Sequence, residues 1–284
     1  MDEYSTIAAL RARLAAERKA GRTIGLVPTM GFLHDGHLAL VDDMHAAVDI
    51  VVMSIFVNPL QFGPTEDLSR YPRNIDRDRG LAATRGVEIL FVPTVAEMYP
   101  EGAEIRVVAG ATASRWEGAH RPGHFDGVLT VVAKLFNIVQ PDVAGFGQKD
   151  IEQFTLIQRM VRDLDMPLTL RVLPTVREAD GLALSSRNVY LTPGARVQAL
   201  TLSRALLAVK ARWAAGARDA ELLREVASAV FAASDDVMPD YIAIADPETL
   251  APVTHASVGT IVAVAARVGS TRLIDNVILA EERT

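Results

Sequence analysis

Two of the chain's six histidines, His34 and His37, stand three residues apart around Gly36 in the stretch PTMGFLHDGH, residues 28–37. The stretch directly follows the apolar run RTIGLVP. Where a first strand hands over to a first helix, the helix N-terminal amides face outward and suit a phosphate. Imidazole N–H groups at that point can donate to the negative charge of a phosphoryl transition state. Gly31 and Gly36 let the backbone approach such a ligand. The other reading is a pair of ordinary surface histidines, and the spacing leaves both open. Zinc would need an i,i+4 pair on a helix or a second pair of ligands, and the sequence offers neither.

Three further stretches carry side chains suited to anions. FVNPLQFG follows an apolar run, so Asn58 and Gln61 stand either at a strand end facing a cleft or in an ordinary Asn-Pro turn. FGQKDIEQ sets Lys149 and Asp150 at a helix start with Gln153 one turn on. A lysine there opposes the helix dipole, which an anionic partner would explain and a solvated side chain would not require. DGLALSSRN brings Ser185, Ser186 and Arg187 together, either as an anion clamp on a closing loop or as a plain polar loop.

Apolar runs alternating with helix-periodic segments must position these groups. RTIGLVP, DIVVMSIFV, VEILFVP, DVAGFG and LTLRVLP read as buried strands. GHLALVDDMHAAV, with Leu38, Val41, Met44 and His45 at helical spacing, reads as a helix, as do FDGVLTVVAKLFNIVQ and DIEQFTLIQRMVRDLD. The pattern predicts an α/β fold, a Rossmann-like, doubly wound parallel sheet of about five strands over residues 1–174, with ligand at the strands' carboxyl ends. After Pro174 the texture changes to two Ala/Leu/Arg-rich helices, the first with Thr192 as cap and Pro193 at its first position, followed by PDYIAIAD, TIVAVAARVG and TRLIDNVILA as strands. Residues 175–284 therefore read as a smaller α+β domain.

Bulk composition narrows the chemistry. A formal net charge of −6 disfavours general binding to nucleic acid or an anionic membrane. The lack of cysteine removes disulfides, thiolate catalysis and Cys-ligated metals. The charged, helix-periodic N-terminus does not read as a secretory signal and no apolar run is long enough to span a bilayer, so the expectation is a cytoplasmic protein.

HxGH, NPxQF, FGxKDxxQ and DGLxxSSRN, in that order, resemble the pantoate:β-alanine ligase family, the pantothenate synthetases, whose N-terminal domain belongs to the HxGH nucleotidyltransferase superfamily. The resemblance extends through YPRN, RPGHFDGVLTVVAKLFNIVQPDVAGFGQKD and DYIAIADPETL. It implies ATP-dependent condensation of pantoate with β-alanine to pantothenate, AMP and diphosphate through pantoyl adenylate. By that resemblance His34 and His37 contact the ATP phosphates, and Lys149, Ser185, Ser186 and Arg187 hold the β/γ-phosphates and the departing diphosphate. Met30, Gly147, Asp150 and Val176 complete the ATP contacts, Gly147 and Asp150 at the ribose and Val176 at the adenine. Gln61 and Gln153 bind pantoate's polar groups, Pro28, Thr29 and Met30 wall its dimethyl carbon, and Gln61 also meets β-alanine. The resemblance further implies a phosphate-bound Mg²⁺ with no protein ligand set, Asp78 as a second-sphere partner of that ion, a C-terminal lid and a homodimer. No residue is assigned to deprotonate β-alanine.

Overall fold

The computed structural model describes residues 1–64, 66–234 and 236–281. Its strands are β1 (Asp2–Tyr4), β2 (Ile24–Thr29), β3 (Ile50–Ile55), β4 (Ile89–Phe91), β5 (Val143–Gly147), β6 (Thr169–Leu173), β7 (Val237–Ala245), β8 (Ile261–Val268) and β9 (Thr271–Ile278). The helices are α1 (Ile7–Lys19), α2 (Asp35–His45), α3 (Ile75–Thr84), α4 (Val95–Met98), α5 (Trp116–His120), α6 (His124–Val139), α7 (Ile151–Asp163), α8 (Pro193–Ala214) and α9 (Ala220–Ala232). The chain groups into two units, Met1–Gln148 with Leu156–Pro174, and Lys149–Thr155 with Thr175–Thr284.

The first unit is built on a parallel sheet in the order β1-β4-β3-β2-β5-β6. β3, IVVMSI, is buried at every position, as expected for a strand covered on both faces. From β2 the chain steps outward through β3 and β4, then crosses back to lay β5 and β6 on the other side. That reversal is the point at which the strand ends splay and leave a ligand crevice. The sheet has six strands rather than about five, because Asp2–Tyr4 pairs in parallel with β4. This edge strand carries two acidic residues and has no apolar alternation by which a sequence could announce it.

α2 buries Leu38, Leu40, Val41 and Met44 against the sheet. His45, grouped with them by spacing, is exposed instead, with Nε2 3.0 Å from the Arg85 carbonyl. Gly25 makes the close packing possible, since a Cβ there would lie 2.7 Å from Val48 Cγ2. α6 is apolar almost throughout and lies buried, closing the first unit's core.

In the second unit α8 and α9 cover an antiparallel sheet, β7-β8-β9, with Leu202, Leu206, Val209 and Trp213 packed in its core. Thr192 caps α8 by accepting from Ala195 N–H at 3.2 Å, with Pro193 in the first turn. Among the described residues no helix is long and apolar enough to cross a membrane.

Candidate active site

The loop that joins β2 to α2 leaves the sheet at Thr29, whose hydroxyl donates to the Ser54 carbonyl at 2.7 Å and accepts from Gly31 N–H at 3.2 Å. Gly31 then adopts φ +81° and Phe32 φ +50°. The left-handed region is costly for a phenylalanine, so neighbours must hold it. Asp78, 1 % exposed, does so: one carboxylate oxygen accepts from Phe32 N–H at 2.7 Å and the other from Leu33 N–H at 2.8 Å. Arg77 adds a bond of 2.8 Å from Nη1 to the Leu33 carbonyl, and its guanidinium lies 5.2 Å from the Phe32 ring centroid. Both Asp78 oxygens thus serve the main chain of this loop, a role that its sequence position does not disclose.

The loop delivers His34 to the N-cap of α2 with extended φ of −142°. Its N–H donates to Nδ1 of His37 at 3.3 Å, and the two rings lie 4.0 Å apart by their centroids. The first turn of a helix leaves main-chain N–H groups without intrahelical partners, so this end offers amides and imidazoles together.

The neighbouring strand β3 runs into the turn Pro59–Gln61, for which Asn58 is the N-cap. Asn58 is 1 % exposed and Gln61 is buried. Asn58 Nδ2 donates to Gln61 Oε1 and to the Gly127 carbonyl, each at 3.0 Å, while Tyr99 hydroxyl donates to Asn58 Oδ1 at 2.8 Å. Asn58 is therefore the turn former of the second sequence alternative, with its amide taken up in a buried polar cluster. Burial pushes the Tyr99 phenol up to about 12.

The Gln61 carbonyl is gripped from α6 and the segment before it. His124 Nδ1 donates to it at 2.7 Å and Arg121 Nη2 at 3.3 Å. Arg121 Nη1 also reaches His124 Nε2 at 3.0 Å, which leaves Nε2 as the acceptor and Nδ1 as the proton-bearing nitrogen. Burial, then the Arg121 charge, lowers the His124 pKa to about 4 and keeps the ring neutral. Arg121 is anchored by two bonds of 2.7 Å to Glu66. Gly127 completes the grip, because a Cβ there would sit 2.2 Å from the Leu60 carbonyl oxygen.

The remaining expected residues belong to the second unit, apart from Pro28 within β2, Met30 directly after it and Gly147 at the end of β5. Lys149 and Asp150 occupy the turn Gln148–Asp150, with Lys149 Nζ 3.9 Å from Asp150 Oδ2, and Gln153 lies in the first turn of α7. Ser185 caps the turn Ser186–Tyr190, its Oγ accepting from Arg187 N–H at 3.2 Å. The Val176 carbonyl accepts from Leu184 N–H at 3.0 Å. Two consecutive residues of β9 tie these pieces together: Asn276 Nδ2 donates to the Lys149 carbonyl at 2.8 Å, and Asp275 takes a bidentate contact from Arg177 at 2.6 and 2.9 Å. Arg177 bridges to Ala183 in the backbone, just before Ser185. Sequence reasoning misses Asp275 and Asn276, although two adjacent buried polar residues in an apolar strand are a usable signal.

The family model of pantoate-beta-alanine ligase matches residues 2–278. The chain is 53% identical over 279 residues to the pantothenate synthetase of Moorella thermoacetica, covering 98% of this chain and 99% of the relative. The crystal structure of pantothenate synthetase from Thermus thermophilus superposes with a TM-score of 0.94 at 50% identity, covering 99% of this chain and 100% of that one. The pantoate-beta-alanine ligase from Francisella tularensis, solved with beta-gamma ATP and beta-alanine, gives a TM-score of 0.80 at 32% identity, covering 98% and 97% of the two chains. With its sheet order, its HxGH loop and these full-length matches, the chain belongs to the pantoate-beta-alanine ligase family.

Proposed function

We propose that this chain condenses pantoate with β-alanine at the expense of ATP, by way of pantoyl adenylate, releasing AMP and diphosphate. The observation that carries the reading lies within the first unit. An imidazole-bearing helix N-terminus and a polar-anchored Gln61 follow the carboxyl ends of the paired strands β2 and β3. One end suits phosphate and the other a carboxylate or hydroxyl oxygen. Pantoate's carboxylate is ionised at neutral pH, so attack on the α-phosphorus needs alignment and charge stabilisation, not a protein nucleophile. His34 and His37 supply donors to the phosphates there.

In this reading Lys149, Ser185, Ser186 and Arg187 take the β/γ-phosphates, Asp150 and the Gly147 main chain the ribose, and the Val176 main chain the adenine. Gln61 and Gln153 take pantoate's oxygens while Pro28, Thr29 and Met30 wall its methyl groups, and Gln61 also meets β-alanine. Mg²⁺ enters this reading as an ion carried on the phosphates, since it keeps several waters and needs few protein ligands. Its part is to neutralise phosphate charge, and the chain's part is to orient the ATP. Residues 1–174 and 175–284 form the two domains, and the enzyme works in the cytoplasm.

The homodimer belongs to the same reading. Ile105 and Val108, 92% and 74% exposed on the segment of the first unit between α4 and α5, are apolar surface of the kind a second copy would cover.

The deciding experiment measures AMP release with ATP and each acid omitted in turn, together with exchange of labelled diphosphate into ATP. Full AMP release needing both pantoate and β-alanine, with exchange needing pantoate alone, is the expected result. AMP release independent of pantoate would favour another nucleotidyltransferase activity, and no turnover at all a nucleotide-binding sensor.

A further inference from the structure

We propose that Asn58 and Tyr99 fix the polarity of the Gln61 carboxamide, so that Gln61 meets its ligand as a hydrogen-bond donor and Tyr99 acts as a remote positioning residue for pantoate. The inference rests on the reading of Gln61 as a pantoate-binding residue.

The orientation of an amide is set by neighbours whose own roles cannot reverse. Asn58 has two of these. The Gly127 carbonyl can only accept, so the Asn58 atom 3.0 Å from it is Nδ2. The Leu60 main-chain N–H can only donate, so the atom 3.3 Å from it is Oδ1. One hydrogen of Nδ2 serves Gly127, and the other points to Gln61 at 3.0 Å, where the receiving atom must be Oε1. The Gln61 amide is then turned with Nε2 away from Asn58. Among the described residues no hydrogen-bond acceptor for Nε2 is found, and its two hydrogens are the polar groups left for a ligand.

Tyr99 stabilises this arrangement from 41 residues away in sequence. Its 2.8 Å bond to Oδ1 is much shorter than the bond from Leu60 and is the stronger of the two constraints. The phenol's raised pKa keeps it a donor throughout the neutral range. The Gln61 main chain cannot swivel to compensate, because His124 and Arg121 hold its carbonyl. A ligand group opposite Gln61 must therefore bring an acceptor. A carboxylate or hydroxyl oxygen satisfies it and so does a neutral amine, whereas an ammonium does not, so β-alanine meets Gln61 through its carboxylate or its deprotonated amine.

Three variants separate the parts of the proposal, each read as KM for pantoate against KM for ATP, with thermal unfolding as the control for folding. Gln61→Ala should raise the pantoate KM about tenfold or more and leave that for ATP unchanged. Gln61→Glu keeps an acceptor towards Asn58 and sets a carboxylate against the substrate's own. Its pantoate KM should rise at least as far and fall again from about pH 8 to about pH 5.5, as the introduced carboxyl takes up a proton and donates. Tyr99→Phe should raise the pantoate KM about three- to tenfold with the ATP KM and unfolding midpoint unchanged. Unchanged pantoate KM in Gln61→Ala would overturn the pantoate assignment. An effect there with near-wild-type behaviour in Gln61→Glu would overturn the donor polarity. Effects in both Gln61 variants, with none in Tyr99→Phe, would remove Tyr99 from the relay.

Discussion

The N–H of His34 donates to Nδ1 of His37 across 3.3 Å, so the helix cap and the second histidine of the HxGH stretch are a single hydrogen-bonded unit. Because Nδ1 supplies its lone pair, the neutral His37 ring carries its proton on Nε2. The nitrogen that points away from the cap is a donor, as contact with a phosphate oxygen requires.

This geometry separates two conservative replacements. The amide of His37→Asn reaches the place of Nδ1 and can still accept from His34 N–H, but it offers nothing at Nε2. The longer side chain of His37→Gln puts an N–H₂ near Nε2. The expected outcome is a loss of about 10²-fold or more in single-turnover adenylate formation for His37→Asn, and a smaller loss for His37→Gln, with unfolding midpoints near wild type in both. Equal losses would mean that the cap bond, rather than the outward donor, is what the reaction needs.

Asp78 supports a prediction about the loop before these histidines. Its two oxygens each accept one main-chain N–H, from Phe32 and from Leu33. In Asp78→Asn one of those N–H groups faces an amide N–H₂ and loses its partner, at a cost of about 1–3 kcal/mol. Urea unfolding should register that loss, and diphosphate exchange should fall with it because His34 leaves the same loop. Gly31→Ala should act in the same direction, since its φ is +81° and its Cβ would lie 2.9 Å from Ile55 Cγ2.

The contrast between these residues shows what a sequence can disclose. β2, α2 and β3 are legible because their burial follows from apolar runs and helical spacing over six or more residues. β1 is not, being three residues held by a distant partner, β4. Among candidate site groups, His34, His37 and Gln61 stand in short local patterns. Asp78 and His124 act on backbone 45 and 63 residues away, and no local pattern encodes such a meeting. Tyr99 reads as an ordinary aromatic for the same reason.

Gly127 illustrates a contact that only packing could disclose. A methyl group there would meet Leu60 O at 2.2 Å, Leu60 C at 2.4 Å and Gln61 N at 2.6 Å, all of them backbone. Neither α6 nor the Pro59–Gln61 turn can yield by a side-chain rotation. Gly127→Ala should lower stability by about 1–3 kcal/mol or more, and whatever folds should show a raised pantoate KM with a smaller change for ATP. A wild-type midpoint and pantoate KM would show that the turn is not fixed against α6.

The exposed apolar segment predicts an effect on assembly. If a second copy covers Ile105 and Val108, the double replacement Ile105→Asp/Val108→Asp should shift the mass measured by light scattering from two chains to one. Circular dichroism should remain unchanged, since both side chains are exposed in the single chain, at 92% and 74%. An unshifted mass would remove this segment from the dimer contact.

His124 gives the last prediction, on pH. In the folded chain its pKa is lowered from 6.5 to about 4, first by burial and then by Arg121. Between those values the unfolded chain holds a proton that the folded one does not, so stability rises with pH across the window and levels off above about 6.5. Below the folded value both states are protonated and the loss is complete. The difference of about 2.5 pH units corresponds to about 3 kcal/mol, an order-of-magnitude figure for one buried ring. Glu66 adds to the acid loss: burial works against its carboxylate, but the Arg121 hydrogen bonds and charge together hold it below its ordinary value of 4.5. That contribution falls at the acid end, so the slope between about pH 6.5 and about pH 5 belongs mainly to His124. His124→Asn can keep a donor to the Gln61 carbonyl while removing the titration. Urea unfolding at about pH 7, 6 and 5 should therefore give a falling stability in the wild type and a flatter line in the variant. Parallel lines would mean that the ring is protonated in the folded chain, with a reorganised Arg121 beside it, and the neutral tautomer assigned to His124 would be wrong.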